Sequence, residues 1–267
     1  HNHHNETSKK SRGQPEELLR ESPIGLKRQL TGSTELSAME RLAVTGASGK
    51  TGWRVVDEAL KRGMAVRVIA RPASVLPQPL AEAEREGRLE VQRVELSAAK
   101  ALQQALKGCT ALVIATGARP SVNLAAPLQV DAIGVQAQVK ACEAVGLKRV
   151  ILVSSLCAGR WLHPLNLFGL ILVWKRLGER SLQNSSLDWT VIRPGGLSED
   201  DSRADNEGIL FSGADEQESN SIPRRLVAQV CMDALLQPNA SGRIIEITSS
   251  NDLPQHNLSA WLQSQTA

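Results

Sequence analysis

The residues best suited to chemistry lie together in Thr45-Gly46-Ala47-Ser48-Gly49-Lys50-Thr51-Gly52. The segment directly follows the apolar run Arg41–Thr45 and opens a helical pattern containing Trp53–Arg62. Glycines three apart, between a strand and a helix, are what a diphosphate cradle requires. Gly46 permits a tight turn, Gly49 lets the backbone approach the anion, and Gly52 allows close helix–strand packing. Unpaired N–H groups and the helix dipole then favour the negative charge. A mononucleotide P-loop is excluded, because it needs a glycine five residues before Gly49, where Val44 stands. A tight β–α turn with no ligand is the plainer alternative.

The second apolar run, Val66–Ala70, ends at Arg71. Folds that select NAD(H) place an acid near here for the ribose 2′-hydroxyl, and none occurs from Val66 to Ala81. A guanidinium instead suits a 2′-phosphate, with Ser74 and Lys50 in reach to assist. NADP(H) is therefore the expected cofactor. The alternative for Arg71 is a solvated loop arginine.

The elements that must hold these residues alternate. Apolar, β-rich runs occur at Arg41–Thr45, Ala65–Ala70, Leu89–Val94, Ala111–Ala115, Arg149–Ser154, Asp188–Arg193 and Arg243–Ile247. Short continuous runs separated by helical patterns predict an α/β fold, a Rossmann-type doubly wound parallel sheet in a single domain. Ser97 can cap a helix over 98–107, ended by Gly108. Val130–Val145 is a helix closed by Gly146. Pro223 opens another, with Leu226, Val227, Val230, Ala234 and Leu235 as its stripe. Ser198–Ser221 is polar and acidic, and is read as a mobile loop near a ligand or as an insertion. Residues 1–38 read as tag, linker or disordered extension, and 39–267 as the domain, with no signal peptide at Met39.

Composition narrows the function. A net charge of +3 without a basic stripe does not indicate nucleic acid. Cys109, Cys142, Cys157 and Cys231 are far apart, which argues against disulfides or zinc and for a reducing, cytoplasm-like compartment. After the first residues only His163 and His256 remain, so no metal site is indicated. The longest apolar stretch, Leu165–Trp174, is too short to span a bilayer. It reads as a buried helix start, or more sharply as a pocket wall or membrane-touching surface.

From Met39 to about Ile247 the chain resembles the atypical short-chain dehydrogenase/reductases. The segments TGASGKTG, VRVIARPAS, ALVIATGAR, KRVILVSS, WKRLGERSLQNSSLDWTVIRPGGL and SIPRRLVAQV carry the resemblance. Within that group the chain is similar to the biliverdin IXβ/flavin reductases. It is also similar to the NADPH-binding subunits of the chloroplast inner-envelope translocon and their cyanobacterial relatives, so a stroma-like compartment peripheral to a membrane is an alternative location. The resemblance implies an adenine site at Glu95 and Leu96, and pyrophosphate and ribose contacts at Thr116, Gly117 and Arg119. It implies nicotinamide contacts at Ser154, Ser155, Pro194, Gly195 and Gly196. Lys175 would bind the nicotinamide ribose, with Glu179 as a structural partner.

One departure shapes the expected chemistry. Where the family has Tyr-x-x-x-Lys, Ile171 stands four residues before Lys175, and the chain has no tyrosine. Alcohol–ketone chemistry needs a proton donor that is missing here. Ser155 could polarise a carbonyl, or could be a strand-end serine bonded to backbone. An acceptor that spreads its new charge (a flavin, a bilin or a quinone) can take its proton from water. The favoured expectation is thus an NADPH-dependent reductase of a small planar acceptor, with Trp161, the 165–174 stretch and the loop after Gly196 as cleft walls and Ser155 and Lys175 as catalytic candidates. The alternatives are a non-catalytic NADP(H) sensor or docking subunit with a protein partner, and, with no motif to support it, a sugar-nucleotide or isoflavone-type reductase.

Overall fold

The run Arg41–Thr45 forms β1, and its alternation sets the layering of the whole molecule. Leu42 and Val44 pack to one side with Val55, Val56, Val227 and Cys231, while Ala43 packs to the other with Leu102, Leu106 and Val139. A strand buried on both faces must be apolar at every position, and β1 is buried from Leu42 to Thr45. The computed structural model describes residues 41–117, 126, 128–156, 171–255 and 257–266, all within the unit Ser37–Ala267.

After β1 come α1 (Gly52–Lys61), β2 (Ala65–Ala70), α2 (Gln78–Arg85), β3 (Glu90–Arg93), α3 (Ala99–Leu106) and β4 (Ala111–Ile114). A π-helical stretch, Leu128–Gly134, runs into α4 (Val135–Val145), followed by β5 (Arg149–Val153), α5 (Ile171–Gln183) and β6 (Asp188–Pro194). The chain continues through β7 (Gly196–Ser198), β8 (Gly208–Ser212), β9 (Ser221–Pro223), α6 (Arg224–Leu235), β10 (Arg243–Ser250) and α7 (Leu258–Gln265). The main sheet runs β3-β2-β1-β4-β5-β6-β10-β8. Its pairings are parallel except for β8, which lies antiparallel to β10. Strand order reverses between β1 and β4, where Val44 pairs with Val68 on one side and with Val113 on the other. The carboxyl ends of these strands therefore part into a crevice, the place where open α/β sheets bind ligands.

All seven expected strands form, within a residue or so of their expected ends at most sites; β10 runs on to Ser250. Gly108 and Gly146 take positive φ, +80° and +74°, as helix ends require. Ser97 departs from expectation. Helix α3 begins at Ala99 with no side-chain cap, and Ser97 lines the crevice instead. Pro223 sits one position earlier than expected, as the N-cap of α6.

The segment after Gly196 is neither loose nor a plain insertion. It folds into β7, a 3-10 turn (Asp201–Asp205) capped by Asp200, then β8 and β9. Phe211 pairs with Ile247 and packs on Trp261, ring centroids 6.0 Å apart. The polar residues that made this segment look like loop are used internally: Gln217 donates to the carbonyls of Leu210 and Glu246 and accepts from the Thr248 hydroxyl. Of the apolar stretch before α5, residues 165–170 lie outside the described residues, and Leu172 is core.

Candidate functional site

The glycine loop is built by contacts that exclude side chains. Gly46 has φ +79°, and a Cβ there would stand 2.4 Å from the Ala115 carbonyl. A Cβ on Gly52 would stand 2.0 Å from the Gly46 oxygen, so α1 can start this close to the turn only with glycine. The Gly49 N–H donates to the Gly46 carbonyl (3.0 Å), which curls the loop. Within the first turn of α1 the Trp53 N–H already donates to the Gly49 carbonyl (3.1 Å), so an anion would be met by the loop's other N–H groups and by the helix dipole. Behind the loop, the buried Thr45 hydroxyl donates to Gln138 (2.6 Å), which donates to the Gly134 carbonyl (3.2 Å). This ties β1 to α4.

A cleft of about 910 Å³ opens at the switch point. Gly46, Ala47, Ser48 and Gly49 form its floor, Arg71 and Ser74 one end, Glu95 and Leu96 a wall, and Thr116 and Gly117 another. Ten of the sequence-expected residues thus converge on one space. Arg71 is exposed, with no carboxylate paired to it among the described residues. The Ser74 N–H donates to the Arg71 carbonyl (3.0 Å), and Arg93 of β3 donates to the Ser74 carbonyl (2.8 Å). Arg93 therefore braces the turn that presents Arg71.

Lys50 and Thr51 do not line the cleft. The Lys50 ammonium pairs with Glu199 (2.7 Å), and this hydrogen bond holds the Glu199 carboxyl below its ordinary range. The Thr51 hydroxyl accepts from Arg224 (3.0 Å) on α6. Gly52 acts through packing. Lys50, expected to assist at the 2′-phosphate, thus takes part in a clasp to the 199–201 segment. Arg54 strengthens the clasp by donating to the Lys50 carbonyl (2.7 Å) and pairing with Asp201 (2.9 Å).

The residues expected at the nicotinamide are carried by β5, β6 and α5. Ser154 and Ser155 end β5, and the Ser154 N–H donates to the Ile192 carbonyl (2.8 Å). The Ser154 hydroxyl is buried without a hydrogen-bond partner, as is the Thr116 hydroxyl across the crevice. Buried hydroxyls left unpaired are costly and suit a polar ligand. Lys175 reaches in from α5, and a Cβ on Gly117 would lie 3.7 Å from its Nζ. The ammonium pairs with the buried Asp131 carboxylate (2.9 Å). Glu179 pairs with Arg193 (2.8 and 2.9 Å) and with Arg176 (3.1 Å). Arg193 is wholly buried and also meets Asp215 (3.0 Å) and Glu246 (3.4 Å). Burial works against its charge, but Glu179 and the other carboxylates outweigh it and raise its pKa above the ordinary value. This cluster anchors the start of Pro194-Gly195-Gly196. The Gly195 and Gly196 N–H groups donate to Ile247 and Asn220 (both 2.9 Å), and a Cβ on Gly195 would strike the Asn220 carbonyl at 2.1 Å. Arg119, Trp161, Cys157, His163 and His256 lie outside the described residues.

Sequence reading missed the wall built by Gln129, Val130, Ile133 and Gly134, and the roles of Asp131 and Gln138. A signal existed: Asp131 and Gln138 share the helix face of Val135, Val139 and Cys142, and polar residues on an apolar stripe are there to be paired.

The NAD(P)H-binding family model matches residues 46–238, from the glycine loop to the end of α6. The chain belongs to the NAD(P)H-binding family. It is 31% identical to an uncharacterized chloroplastic protein of Arabidopsis thaliana, over 82% of this chain and 80% of that one. It is 26% identical to protein TIC 62 of Pisum sativum, over 86% of this chain but only 49% of the longer relative. It is 36% identical to sanguinarine reductase of Eschscholzia californica over 41% of each chain. Among solved structures, an NAD-dependent epimerase/dehydratase-like protein of Bacillus halodurans superposes with a TM-score of 0.71 at 25% identity, covering 84% of this chain and 99% of that one. The glycine cradle and the unpaired hydroxyls fit the NAD(P)H that this family binds.

Other chemistry is limited. Among the described residues, no group of three or more His, Cys, Asp or Glu could hold a metal ion, and no helix is long and apolar enough to cross a membrane. Cys142 and Cys231 are fully buried, and burial pushes both thiols up to about 12. They stay protonated and behave as core residues.

Proposed function

We propose that this protein is an NADPH-dependent reductase that passes a hydride directly to a small planar conjugated acceptor, a flavin or a linear tetrapyrrole such as biliverdin. The observation that carries the reading is the pairing of an unneutralised Arg71 at the adenosine end with a nicotinamide end that has Lys175 and no tyrosine. The bound cofactor supplies the hydride. Arg71, with Ser74, reads the 2′-phosphate by charge-assisted hydrogen bonds. The loop from Gly46 to Gly49 takes the diphosphate, and Glu95 and Leu96 flank the adenine. Thr116 and Gly117 meet the diphosphate and the adjoining ribose. Lys175 holds the nicotinamide ribose. Ser154, Ser155 and the Pro194–Gly196 turn fix the ring against the acceptor. Orientation then supplies most of the catalysis. The chain offers no strong acid at the reacting centre, so an acceptor that delocalises charge and takes its proton from water suits it.

The test is NADPH oxidation with FMN, biliverdin and a quinone, each against a reaction without protein. Turnover with one of them supports the reading. Tight NADPH binding with no turnover would favour a second reading, an NADP(H) sensor or docking subunit. The Lys50–Glu199 clasp supports that second reading, because an anion on the loop competes with Glu199 and so connects occupancy to the 199–201 segment. A reducing cytoplasmic or stroma-like compartment suits both.

A further inference from the structure

We propose that a second, polar cavity at the carboxyl edge of the sheet is a subsite for a neutral, hydroxyl-rich group carried by the acceptor. The proposal deepens the reductase reading and rests on it. The cavity holds about 440 Å³ and lies past the end of β10, where the 3-10 turn Asp201–Asp205 leads into β8. Because β10 runs parallel to β6, this is the same edge of the sheet that carries the cofactor cleft. One residue joins the cavity to the Pro194–Gly196 turn. Asn220 lines the cavity, and its carbonyl accepts the Gly196 N–H (2.9 Å). An acceptor held at that turn thus has this cavity beside it.

The lining decides the chemistry of the ligand. Its two charged residues already satisfy each other. Glu207 is 8% exposed and accepts two hydrogen bonds from the Arg203 guanidinium and one from the Ser249 hydroxyl (3.2 Å). The same guanidinium reaches the Ser221 hydroxyl (3.0 Å). A phosphate or carboxylate would therefore meet no free cation and would face a buried anion. Amides and hydroxyls remain. Asn206 uses one donor on the Ser202 carbonyl (3.3 Å) and keeps its amide oxygen. The Ser250 hydroxyl accepts from the Asp252 N–H (3.1 Å) and keeps its own proton to donate. Asn251 adds an amide with both functions. Such a mixture of donors and acceptors matches a row of hydroxyls, each of which both donates and accepts. Among the described residues no apolar or aromatic side chain lines the cavity, so a bare conjugated ring finds no partner there. Of the planar acceptors proposed, a flavin bears a fitting group, its ribityl chain, whereas a bilin bears charged propionates.

The test compares lumiflavin, which lacks the chain, with riboflavin, which carries it uncharged, and FMN, which ends it in phosphate. Binding to the full chain with NADP⁺ present is read by flavin fluorescence, and turnover with NADPH is measured separately. Riboflavin should bind roughly tenfold more tightly than lumiflavin, the worth of one or two net hydrogen bonds, and FMN no more tightly than riboflavin. Asn206 and Asn251 are exposed, so their replacement spares the core. Asn206→Ala and Asn251→Ala should each cut the riboflavin/lumiflavin ratio about threefold, and the double variant should bring it close to unity. A ratio near unity in the unaltered protein, or one that the double variant leaves in place, overturns the proposal. So does FMN binding far more tightly than riboflavin, because the cavity then holds a charge. Methyl glucoside presents the same hydroxyls without a flavin. If its saturation-transfer signal is lost in the double variant while the flavin ratio stays near unity, the occupant is a sugar and not the acceptor. Turnover of riboflavin and lumiflavin with equal affinity sinks the proposal and leaves the reductase reading standing. The expected ratio, lost in the double variant but without turnover, keeps the subsite and sinks the reductase reading.

Discussion

A 2′-phosphate beside Arg71 carries nearly two negative charges, and no carboxylate among the described residues competes for the guanidinium. Reversing the charge should therefore discriminate between cofactors instead of damaging both. Arg71→Glu is expected to weaken NADPH roughly 10- to 100-fold, the worth of one or two charge-assisted hydrogen bonds, and to change NADH affinity little. Calorimetric titration of both cofactors checks this, and an unchanged NADPH/NADH preference would remove Arg71 from the phosphate site. At the other end of the cleft, Ser155 is half-buried at the tip of β5. If it orients the ring or the acceptor, Ser155→Ala lowers kcat about tenfold, near the value of one hydrogen bond to a developing charge, and leaves NADPH affinity in place. Turnover at the unaltered rate would reduce this serine to scaffold.

At the scale of elements, two constructions hold the site, and each answers to substitution differently. Helix α1 starts against the glycine loop, so Gly52→Ala forces a methyl into the Gly46 carbonyl and moves the helix or the loop. The expected result is a folded but weakened protein whose NADPH affinity falls by at least about tenfold, since a misplacement near 1 Å can cost as much as a hundredfold in a positioned site. The Arg193 cluster instead supports the Pro194–Gly196 turn, which the proposed function places at the nicotinamide. Arg193→Met leaves Glu246 buried without its cation and Glu179 with only Arg176 (3.1 Å), and breaking a buried ion pair costs about 3–5 kcal/mol. Chemical denaturation should show that loss at neutral pH; a change under about 1 kcal/mol would mean that the cluster is not what holds the turn.

Legibility in the sequence also follows scale. Of the seven parallel strands, the central ones were readable because burial on both faces leaves apolar runs, whereas the edge strand β3, with sequence EVQR and partly exposed, was readable only from its place in the alternation. The glycine loop was readable because its spacing has one steric use. Strands β7 and β9 are only three residues long, too short for a period to register. Strand β8 was masked by its polar surroundings, whose bonds to Glu246 and Thr248 are long-range. The Lys50–Glu199 clasp could not be read because its two partners are 149 positions apart in the chain. The Asp131–Lys175 pair escaped for the same reason: the ligand loop is local in sequence, and its supports are not.

The whole molecule offers a test that does not depend on knowing the acceptor. The cleft joins elements from β1 through α4, and the proposed nicotinamide contacts would add β5, β6 and α5, so a cofactor bound across them would favour only the assembled fold. Linkage then raises stability by RT ln(1 + [L]/Kd), about 2.7 kcal/mol at a hundredfold excess over Kd. For a domain of this size each kcal/mol moves Tm by about 2–4 °C, so NADPH should raise the midpoint by roughly 5–10 °C. NADH at the same concentration should raise it by less, because it lacks the group that Arg71 reads. The fragment 2′,5′-ADP should fall between NADPH and no ligand, because it engages only the adenosine half. An equal rise with NADH and NADPH would place the binding energy in the diphosphate loop alone. No rise with NADPH in folded protein would leave the cleft without its proposed occupant, and the reductase reading could not survive that result.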